Sequence, residues 1–199
     1  MSFRIEEKFR VDKSKLFEFK DWLLSKGGKK LFEKRKISSI YFDNNNFQMH
    51  NDSVEGILPR HKIRLRFYND NKNEVNLEKK ISSVEGRFKN SYKIYKFKEC
   101  LKYGFFDKNY GICKPTTEVT YFRDYYSLDG QRITIDSSIK YKKAKLEESN
   151  FMYCDDKIIV ELKNNNLKYN ITSDNKFDFE RIRFSKYCRS VGMVYKLSY

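Results

Sequence analysis

One stretch, Arg60–Tyr68, constrains the fold of this chain more than any other segment. In an extended strand, successive side chains point to opposite faces. The alternation therefore places cations on one face (Arg60, Lys62, Arg64 and Arg66) and apolar side chains on the other (Ile63, Leu65 and Phe67). Because neighbouring cations repel one another, such a row faces either bulk water or a bound polyanion. The apolar face indicates packing on a core, so the strand belongs to a two-sided β structure.

The composition indicates a globular protein with an anionic partner. The chain has 199 residues, enough for one domain with a core. Only 39% of the residues are hydrophobic, but 17% are aromatic, and aromatic side chains bury large areas. The net charge of +15 predicts a nucleic acid, a phosphorylated small molecule, polyphosphate or an anionic membrane face as partner. The chain is also rich in Lys, Asn and Ile, so general composition accounts equally well for part of this charge.

The cysteines and the lengths of the apolar runs bear on the cellular compartment and on membrane insertion. The sequence contains no Cys-x-x-Cys pair and no metal-ligand spacing between its cysteines and its two histidines (Cys100, Cys113, Cys154, Cys188, His50 and His61). Packing roles in a reducing compartment therefore fit the cysteines best. No apolar run reaches the roughly 18 residues of a membrane-spanning helix, and no signal peptide is evident. We expect a cytoplasmic protein without a membrane span in this chain.

Hydrophobic periodicity predicts an α+β fold built on an antiparallel sheet. Helical spacing predicts helices at 12–26, 95–103 and 185–197, with a short helix or loop at 47–53. Alternation predicts strands at 2–9, 36–43, 60–68, 73–81, 86–93, 116–126, 132–141 and 158–163, and with weaker support at 146–153. Closure of about eight such strands into a barrel would remove the sheet edges and leave room for one elongated ligand. We predict a single domain over residues 1–199.

Ionic residues recur at every second position on several of these strands, as in Arg4/Glu6/Lys8, Glu78/Lys80 and Glu161/Lys163. Glu161 projects from an otherwise apolar strand, and a buried carboxylate is costly without a partner. Either a neighbouring Lys or Arg pairs with Glu161, or Glu161 binds a hard divalent cation. If the ionic faces converge, they form a cationic channel whose guanidinium groups suit a chain of phosphates.

Eight short motifs occur in an order that resembles a known family. They are Glu6-Glu7-Lys8-Phe9, Ser38–Asp43, Lys62–Tyr68, Leu77–Lys80, Tyr121-Phe122-Arg123, Arg132–Asp136, Val160–Lys163 and Arg183–Tyr187. Each motif is weak alone, but together they cover nearly the whole chain. The chain resembles a VTC domain, the catalytic domain of the vacuolar transporter chaperone polyphosphate polymerases. That family belongs to the triphosphate tunnel metalloenzymes.

The resemblance implies a phosphotransferase and assigns roles to residues. It implies metal-dependent transfer of the γ-phosphoryl group of ATP or another nucleoside triphosphate to a growing polyphosphate chain in a basic tunnel. Its catalytic phosphate contacts correspond to Lys8, Arg64, Arg66, Lys80, Arg123 and Arg132, and its paired basic residues to Arg183, where a Lys is usual, and Lys186. Glu161 matches its metal-binding glutamate, for Mn²⁺ or Mg²⁺. Shared strand faces add Arg60, Lys62, Glu6 and Glu78 to the predicted substrate-binding set.

The first strand departs from the pattern of the related hydrolases. Those enzymes carry Glu-x-Glu-x-Lys, whereas Arg4 stands here in place of the first acid. Loss of an acidic metal ligand weakens activation of a second metal-bound water, which favours holding a polyanion over hydrolysis. The membrane segment and phosphate-sensing domain of the eukaryotic complexes are not evident, which leaves regulation, product transport and a membrane partner open.

Two other functions fit the same residues. A tunnel triphosphatase that hydrolyses tripolyphosphate or nucleoside triphosphates differs mainly in admitting water to the metal site. A non-catalytic module for polyphosphate or RNA also fits, because single-stranded nucleic-acid binders interleave aromatic and cationic residues. In this chain the aromatics alternate opposite the charges, which predicts that they form the core and disfavours nucleic acid as the partner.

Overall fold

The computed structural model describes residues 5–144, 151–164 and 180–198. These residues form the strands β1 (Ile5–Asp12), β2 (Lys29–Asp43), β3 (Arg60–Tyr68), β4 (Val75–Ser83), β5 (Gly86–Ile94), β6 (Phe105–Asp107), β7 (Gly111–Leu128), β8 (Gln131–Lys143), β9 (Tyr153–Cys154), β10 (Lys157–Asn164) and β11 (Glu180–Arg181). The helices are α1 (Leu16–Ser25), which follows a 3₁₀ turn at Lys13–Lys15, α2 (Gln48–Glu55), α3 (Phe97–Tyr103) and α4 (Lys186–Tyr195).

The strands form one sheet in the order β11-β1-β10-β8-β7-β2-β3-β4-β5, with β6 beside β7 and β9 beside β8. Neighbouring strands pair antiparallel, as for β1 with β10 and β3 with β4. The predicted α+β class, with an antiparallel sheet and flanking helices, is therefore confirmed. Within the described residues, β11 and β5 end the order, and hydrogen bonds do not join these two strands into a ring.

Several strands and helices differ in extent from the sequence predictions. The strand predicted at 36–43 begins seven residues earlier, at Lys29, because the exposed residues 29–34 lack the apolar alternation on which the prediction depends. The strand predicted at 146–153 corresponds to β9, and residues 145–150 lie outside the described part of the chain, as does Arg4. β7 and β8 are joined by a turn at Asp129-Gly130, where both residues have positive φ angles (48° and 75°).

The chain divides into two compact units. Unit 1 comprises Met1–Arg35, Tyr121–Ile139 and Asp155–Phe184, and unit 2 comprises Lys36–Thr120, Lys140–Cys154 and Ser185–Tyr199. The single domain over 1–199 stays a prediction. In the parts of the chain that the structure describes, none of the helices combines the length and the apolar character that crossing a bilayer requires.

In unit 1, α1 packs on one face of the sheet and thereby fixes which side chains lie on the other. Phe19, Trp22 and Leu23 of α1 are buried in a cluster with strand residues Phe9, Val11, Tyr126, Leu128, Ile133, Ile135, Ile158, Val160 and Leu162. Since side chains alternate along each strand, this packing turns Lys8, Arg123 and Glu161 towards the opposite face. The ionic face of unit 1 is therefore a consequence of how its apolar face is buried.

In unit 2, the same alternation buries the apolar side of β3. Ile63, Leu65 and Phe67 are at most 4% exposed. His61 shares their face, where its Nδ1 lies 3.0 Å from Asp107 Oδ2, and Lys79 Nζ lies 2.6 Å from the same oxygen. These buried partners hold β3 and β4 in register and leave the cations of β3 on the other face.

Candidate active site

In unit 1, the register of β1 and β10 assembles four charges of alternating sign. Lys8 lies directly opposite Glu161, and Glu6 lies directly opposite Lys163. Lys163 Nζ is 3.0 Å from Glu161 Oε1 and 4.0 Å from Glu6 Oε2, while Lys8 Nζ is 3.3 Å from Glu6 Oε1. Lys8 also donates to the backbone oxygen of Phe184 at 2.9 Å. We call Glu6, Lys8, Glu161 and Lys163, together with the Arg123–Asp136 pair described next, the unit 1 cluster.

Arg123 is held beside these charges by a buried ion pair with Asp136. Its Nε and Nη2 donate to the two Asp136 carboxylate oxygens at 2.5 and 2.7 Å, and Nη2 is 3.7 Å from Glu161 Oε2. Burial opposes the charged form of Arg123, but Asp136 and Glu161 raise its pKa well above the ordinary value. Arg123 is therefore a fixed cation whose orientation is set before any ligand binds.

Glu161 is the candidate metal ligand, although in this structure it is ion-paired with Lys163 and Arg123. Opposite Glu161 on β8 lies Thr134, whose fully buried hydroxyl has no hydrogen-bond partner among the described residues. Both side chains offer the oxygen atoms that hard divalent cations prefer. Within the described ranges, no group of three or more His, Cys, Asp or Glu is arranged as a metal site. The residues therefore fit a cation that takes its other ligands from phosphate and water, rather than an all-protein cage.

In unit 2, the strands β3, β4 and β5 carry a second cationic face. Lys62 lies directly opposite Lys80, and Lys80 lies directly opposite Lys89, so three lysines form a row across three strands. We call these three residues the lysine row. By strand alternation, the same face carries Arg60, Arg64 and Arg66 of β3 and Arg87 and Lys93 of β5. Like charges in direct opposition repel one another, and in this row Glu78 offsets the charge of Lys89 while Ser185 accepts a hydrogen bond from Lys62.

Glu78 anchors two arginines on this face. Its Oε2 accepts hydrogen bonds from Arg64 Nε at 2.7 Å and Arg64 Nη2 at 2.5 Å, and Arg66 Nη1 is 3.8 Å away. Lys89 Nζ donates to Oε1 at 2.6 Å. Burial would raise the pKa of Glu78, but Arg64 and Arg66 lower it to about 2. Glu78 therefore stays ionised and fixes the guanidinium group of Arg64.

Helix α4 orients Lys62 in unit 2. Lys62 Nζ donates to Ser185 Oγ at 2.9 Å, and the same oxygen accepts the Cys188 backbone N–H at 3.3 Å, as the N-cap of α4. Tyr41 contacts the neighbouring cation, because its hydroxyl accepts from Arg64 Nη1 at 3.1 Å. Burial would raise the pKa of Tyr41, but Arg64 and other nearby cations lower it. Tyr41 is therefore a buried residue that also supports a phosphate-binding candidate.

The remaining predicted residues have varied surroundings. Arg60 Nη1 donates to the backbone oxygens of Gly56 and Ile57 at 3.2 and 3.1 Å, next to the end of α2. Arg132 is exposed and lies opposite Lys163, Arg183 is exposed between β11 and α4, and Lys186 is the first residue of α4. Their phosphate-binding roles stay predictions.

The predicted site residues leave out several that lie on these faces or contact them, namely Lys89, Arg87 and Lys93 of β5, Lys163, Thr134 and Ser185. The β5 cations at 87, 89 and 93 share one face of the strand, so the alternation argument used for β3 also applies to them. Ser185 carries no comparable signal, because its contact with Lys62 joins residues 123 positions apart.

Comparison with protein families decides the classification. The model of the VTC domain matches residues 3–110 and 102–195, which is nearly the whole chain. The chain belongs to the VTC domain family. The resemblance inferred from the eight sequence motifs is thus confirmed. A search of curated proteins finds no match for this VTC-domain protein.

Solved structures are similar to this VTC-domain protein in fold. One is the putative adenylyl cyclase HpAC1 from Hippeastrum, described as having a dominant triphosphatase activity, with 14% identity, coverage of 96% of this chain and 97% of that chain, and a TM-score of 0.63. Another is a putative adenylate cyclase from Vibrio parahaemolyticus, with 14% identity, coverage of 95% and 98%, and a TM-score of 0.54. A conserved hypothetical protein from Pyrococcus furiosus has 14% identity, coverage of 98% and 92%, and a TM-score of 0.50.

Proposed function

We propose that this VTC-domain protein is a polyphosphate polymerase that transfers the γ-phosphoryl group of ATP or another nucleoside triphosphate to a polyphosphate chain, with Mn²⁺ or Mg²⁺. The observation that carries the proposal is the arrangement around Arg123, which Asp136 fixes within 3.7 Å of Glu161. Phosphoryl transfer demands mainly positioning and charge stabilisation from the protein. A preset guanidinium group next to a candidate metal ligand supplies both.

The proposed reaction needs no acid–base residue from the chain. A terminal oxygen of the acceptor phosphate attacks the γ-phosphorus, and the bond between that phosphorus and the β,γ-bridging oxygen breaks, so the nucleoside diphosphate leaves with the electron pair. Arg123 stabilises the equatorial oxygens, and Lys8 neutralises charge on the leaving group. Because the attacking oxygen is already anionic, no general base is required.

Glu161 and Thr134 are the residues that we assign to the divalent cation. When bound, the cation polarises the phosphate oxygens as a Lewis acid. Lys163, 3.0 Å from Glu161 Oε1, holds the carboxylate in place before substrate enters. Asp136 keeps its two hydrogen bonds to Arg123 throughout, so the guanidinium group does not need to reorganise.

We assign phosphate-chain binding to the second cationic face, in unit 2. Arg64 is oriented by Glu78 and Tyr41, so its guanidinium group loses little conformational freedom on binding a phosphate. The lysine row adds point charges that a polyanion neutralises. Each of these contacts recognises phosphate oxygens without reading a base or a sugar.

Ion pairing of the carboxylates favours polymerase over triphosphatase. Hydrolysis at a metal site needs carboxylates that bind metal and activate water. In the unit 1 cluster, Glu6 lies 3.3 Å from Lys8 and Asp136 is bound by Arg123, so these two carboxylates are already paired and do not add a second metal site beside Glu161. These pairs offset the acidic charge and leave a site suited to holding anions.

The deciding experiment incubates purified protein with γ-labelled ATP and Mn²⁺ and resolves the products on a gel. We expect a ladder of acid-labile, nuclease-resistant chains that disappears in Glu161→Gln and Arg64→Ala proteins. Lys72→Ala, in the exposed turn before β4, is the matched control and should leave the ladder intact. Free phosphate alone would establish a tunnel triphosphatase. Salt-sensitive binding of polyphosphate or RNA without turnover would establish a binding module.

A further inference from the structure

Four side chains in unit 1 form a ladder of alternating cations and aromatic rings, which we call the stacking ladder (Phe32, Arg35, Tyr125 and Arg132). The Arg35 guanidinium carbon lies 4.9 Å from the centroid of the Phe32 ring and 5.7 Å from that of Tyr125. The guanidinium carbon of Arg132 lies 5.6 Å from the Tyr125 centroid. Phe32 meets Tyr125 edge to face, with centroids 5.5 Å apart and an interplanar angle of 89°.

The two aromatic residues of the stacking ladder differ in exposure. Tyr125 is only 5% exposed, whereas Phe32 is 47% exposed although its orientation is set by Arg35 and Tyr125. The Arg35 guanidinium group lies over the Phe32 ring, and nearly half of the side chain still remains accessible to a ligand. An aromatic ring that is both oriented and open is suited to stacking with a nucleobase.

The stacking ladder lies on the same face as the proposed phosphate site. Tyr125 follows Arg123 by two residues on β7, and Arg132 precedes Thr134 by two residues on β8. Two residues along a strand correspond to about 7 Å. Arg132 also lies directly opposite Lys163 of the unit 1 cluster. A nucleotide whose phosphates contact Arg123 therefore has its base and ribose within reach of the ladder.

We propose that the stacking ladder is the nucleobase subsite for the donor nucleoside triphosphate, an inference that rests on the proposed function. The base stacks on the exposed part of Phe32, and Arg132 contacts the ribose or the α-phosphate. Because every base has a π face, stacking of this kind binds purine and pyrimidine nucleotides with little discrimination. The ladder gives no advantage to a ligand without a base, such as tripolyphosphate.

The test compares two ligands and three variants by calorimetric titration with Mn²⁺ present. The ligands are the β,γ-imido analogue of ATP and tripolyphosphate. We expect Phe32→Ala to weaken binding of the analogue about tenfold and to change binding of tripolyphosphate less than twofold. Phe32→Trp should retain the affinity for both ligands. Phe122→Ala is the matched control, because Phe122 is also exposed (38%) and pairs with Lys34 at 5.0 Å, and it should change neither affinity.

The outcomes separate this inference from the proposed function. Equal weakening of both ligands by Phe32→Ala, or no weakening of either, would overturn the nucleobase subsite and leave the phosphate site standing. If the wild-type protein binds the analogue and tripolyphosphate with equal affinity, and Phe32→Ala changes neither affinity, the nucleobase subsite is also overturned while the phosphate site stands. Failure of the wild-type protein to bind either ligand would overturn the proposed function together with this inference.

Discussion

Lys62 and Lys80 lie directly opposite each other on adjacent antiparallel strands, so two cations share one cross-strand position. Lys89 extends the same row on β5. Side chains at directly opposed positions come within about 5 Å of each other, so the two ammonium groups repel. We propose that a polyanion bound on this face offsets the repulsion.

Lys80→Ala should therefore stabilise the protein while weakening its binding of polyphosphate. Removing one member of the lysine row relieves repulsion worth about 0.5 kcal/mol, which corresponds to a rise in Tm of roughly 1–2 °C. The dissociation constant for a polyphosphate chain should rise several-fold, as measured by titration at fixed salt. Lys72→Ala, outside the row, should change neither quantity. A lower Tm for Lys80→Ala would contradict this account.

Asp136→Ala should be strongly destabilising, because it leaves the buried Arg123 guanidinium without its main counterion. The expected loss in the free energy of unfolding is about 3–5 kcal/mol, measured by urea denaturation at pH 7. The double variant Arg123→Met/Asp136→Leu replaces the pair with apolar side chains, and we expect it to recover most of the stability but none of the phosphoryl transfer. A double variant as unstable as the single one would show that the pair itself is needed for folding.

Glu78 should make the stability of the protein sensitive to acid. Its pKa in the folded protein is about 2, below the ordinary 4.5, so folding favours the ionised form. This contribution is complete above about pH 5, and it is lost as the pH falls from 4.5 towards 2. Glu78→Gln should lower the free energy of unfolding at pH 7 by on the order of 3 kcal/mol, and the difference from wild type should shrink towards pH 2. Glu74→Gln, at an exposed position just before β4, is the control, and a pH-independent difference for Glu78→Gln would refute the assignment.

Glu161→Gln should abolish metal binding while leaving the fold intact. The amide keeps the size of the side chain but removes the charge that attracts the cation, so we expect loss of the Mn²⁺ signal change in paramagnetic resonance titrations with tripolyphosphate present. Glu118→Gln provides the comparison, since Glu118 also pairs with a lysine, Lys142, at 3.2 Å. Unchanged Mn²⁺ binding in Glu161→Gln would show that the metal binds elsewhere in the protein.

Period-two alternation was sufficient to assign the faces of the central strands. The apolar positions of β3, Ile63, Leu65 and Phe67, are all buried as alternation requires, and so are Ile158, Val160 and Leu162 of β10. These assignments succeed because burial of one face of a strand requires apolar residues at every second position of that strand's own sequence. The motif order extended the prediction to the family, which the family model confirms.

The partners of each charged side chain lay beyond that local pattern. The alternation places Glu161 on a face but does not specify that Lys8, more than 150 residues away, lies opposite it. The register between distant strands depends on core packing, which here is the packing of α1 on the strands of unit 1. The stacking ladder was missed for a related reason, because β2 is exposed on both faces near Phe32 and gives no strand signal there.

The position of β5 at the end of the strand order has a consequence for aggregation. An edge strand presents backbone groups to which another chain can add, and charged side chains discourage such addition. The cations of β5, Arg87, Lys89 and Lys93, lie on one face of the strand, where Ser91 occupies the remaining position. A chain in which 17% of the residues are aromatic is exposed to that hazard while it is being synthesised. We expect the basic side chains of β5 to oppose pairing between two copies of the chain at this edge.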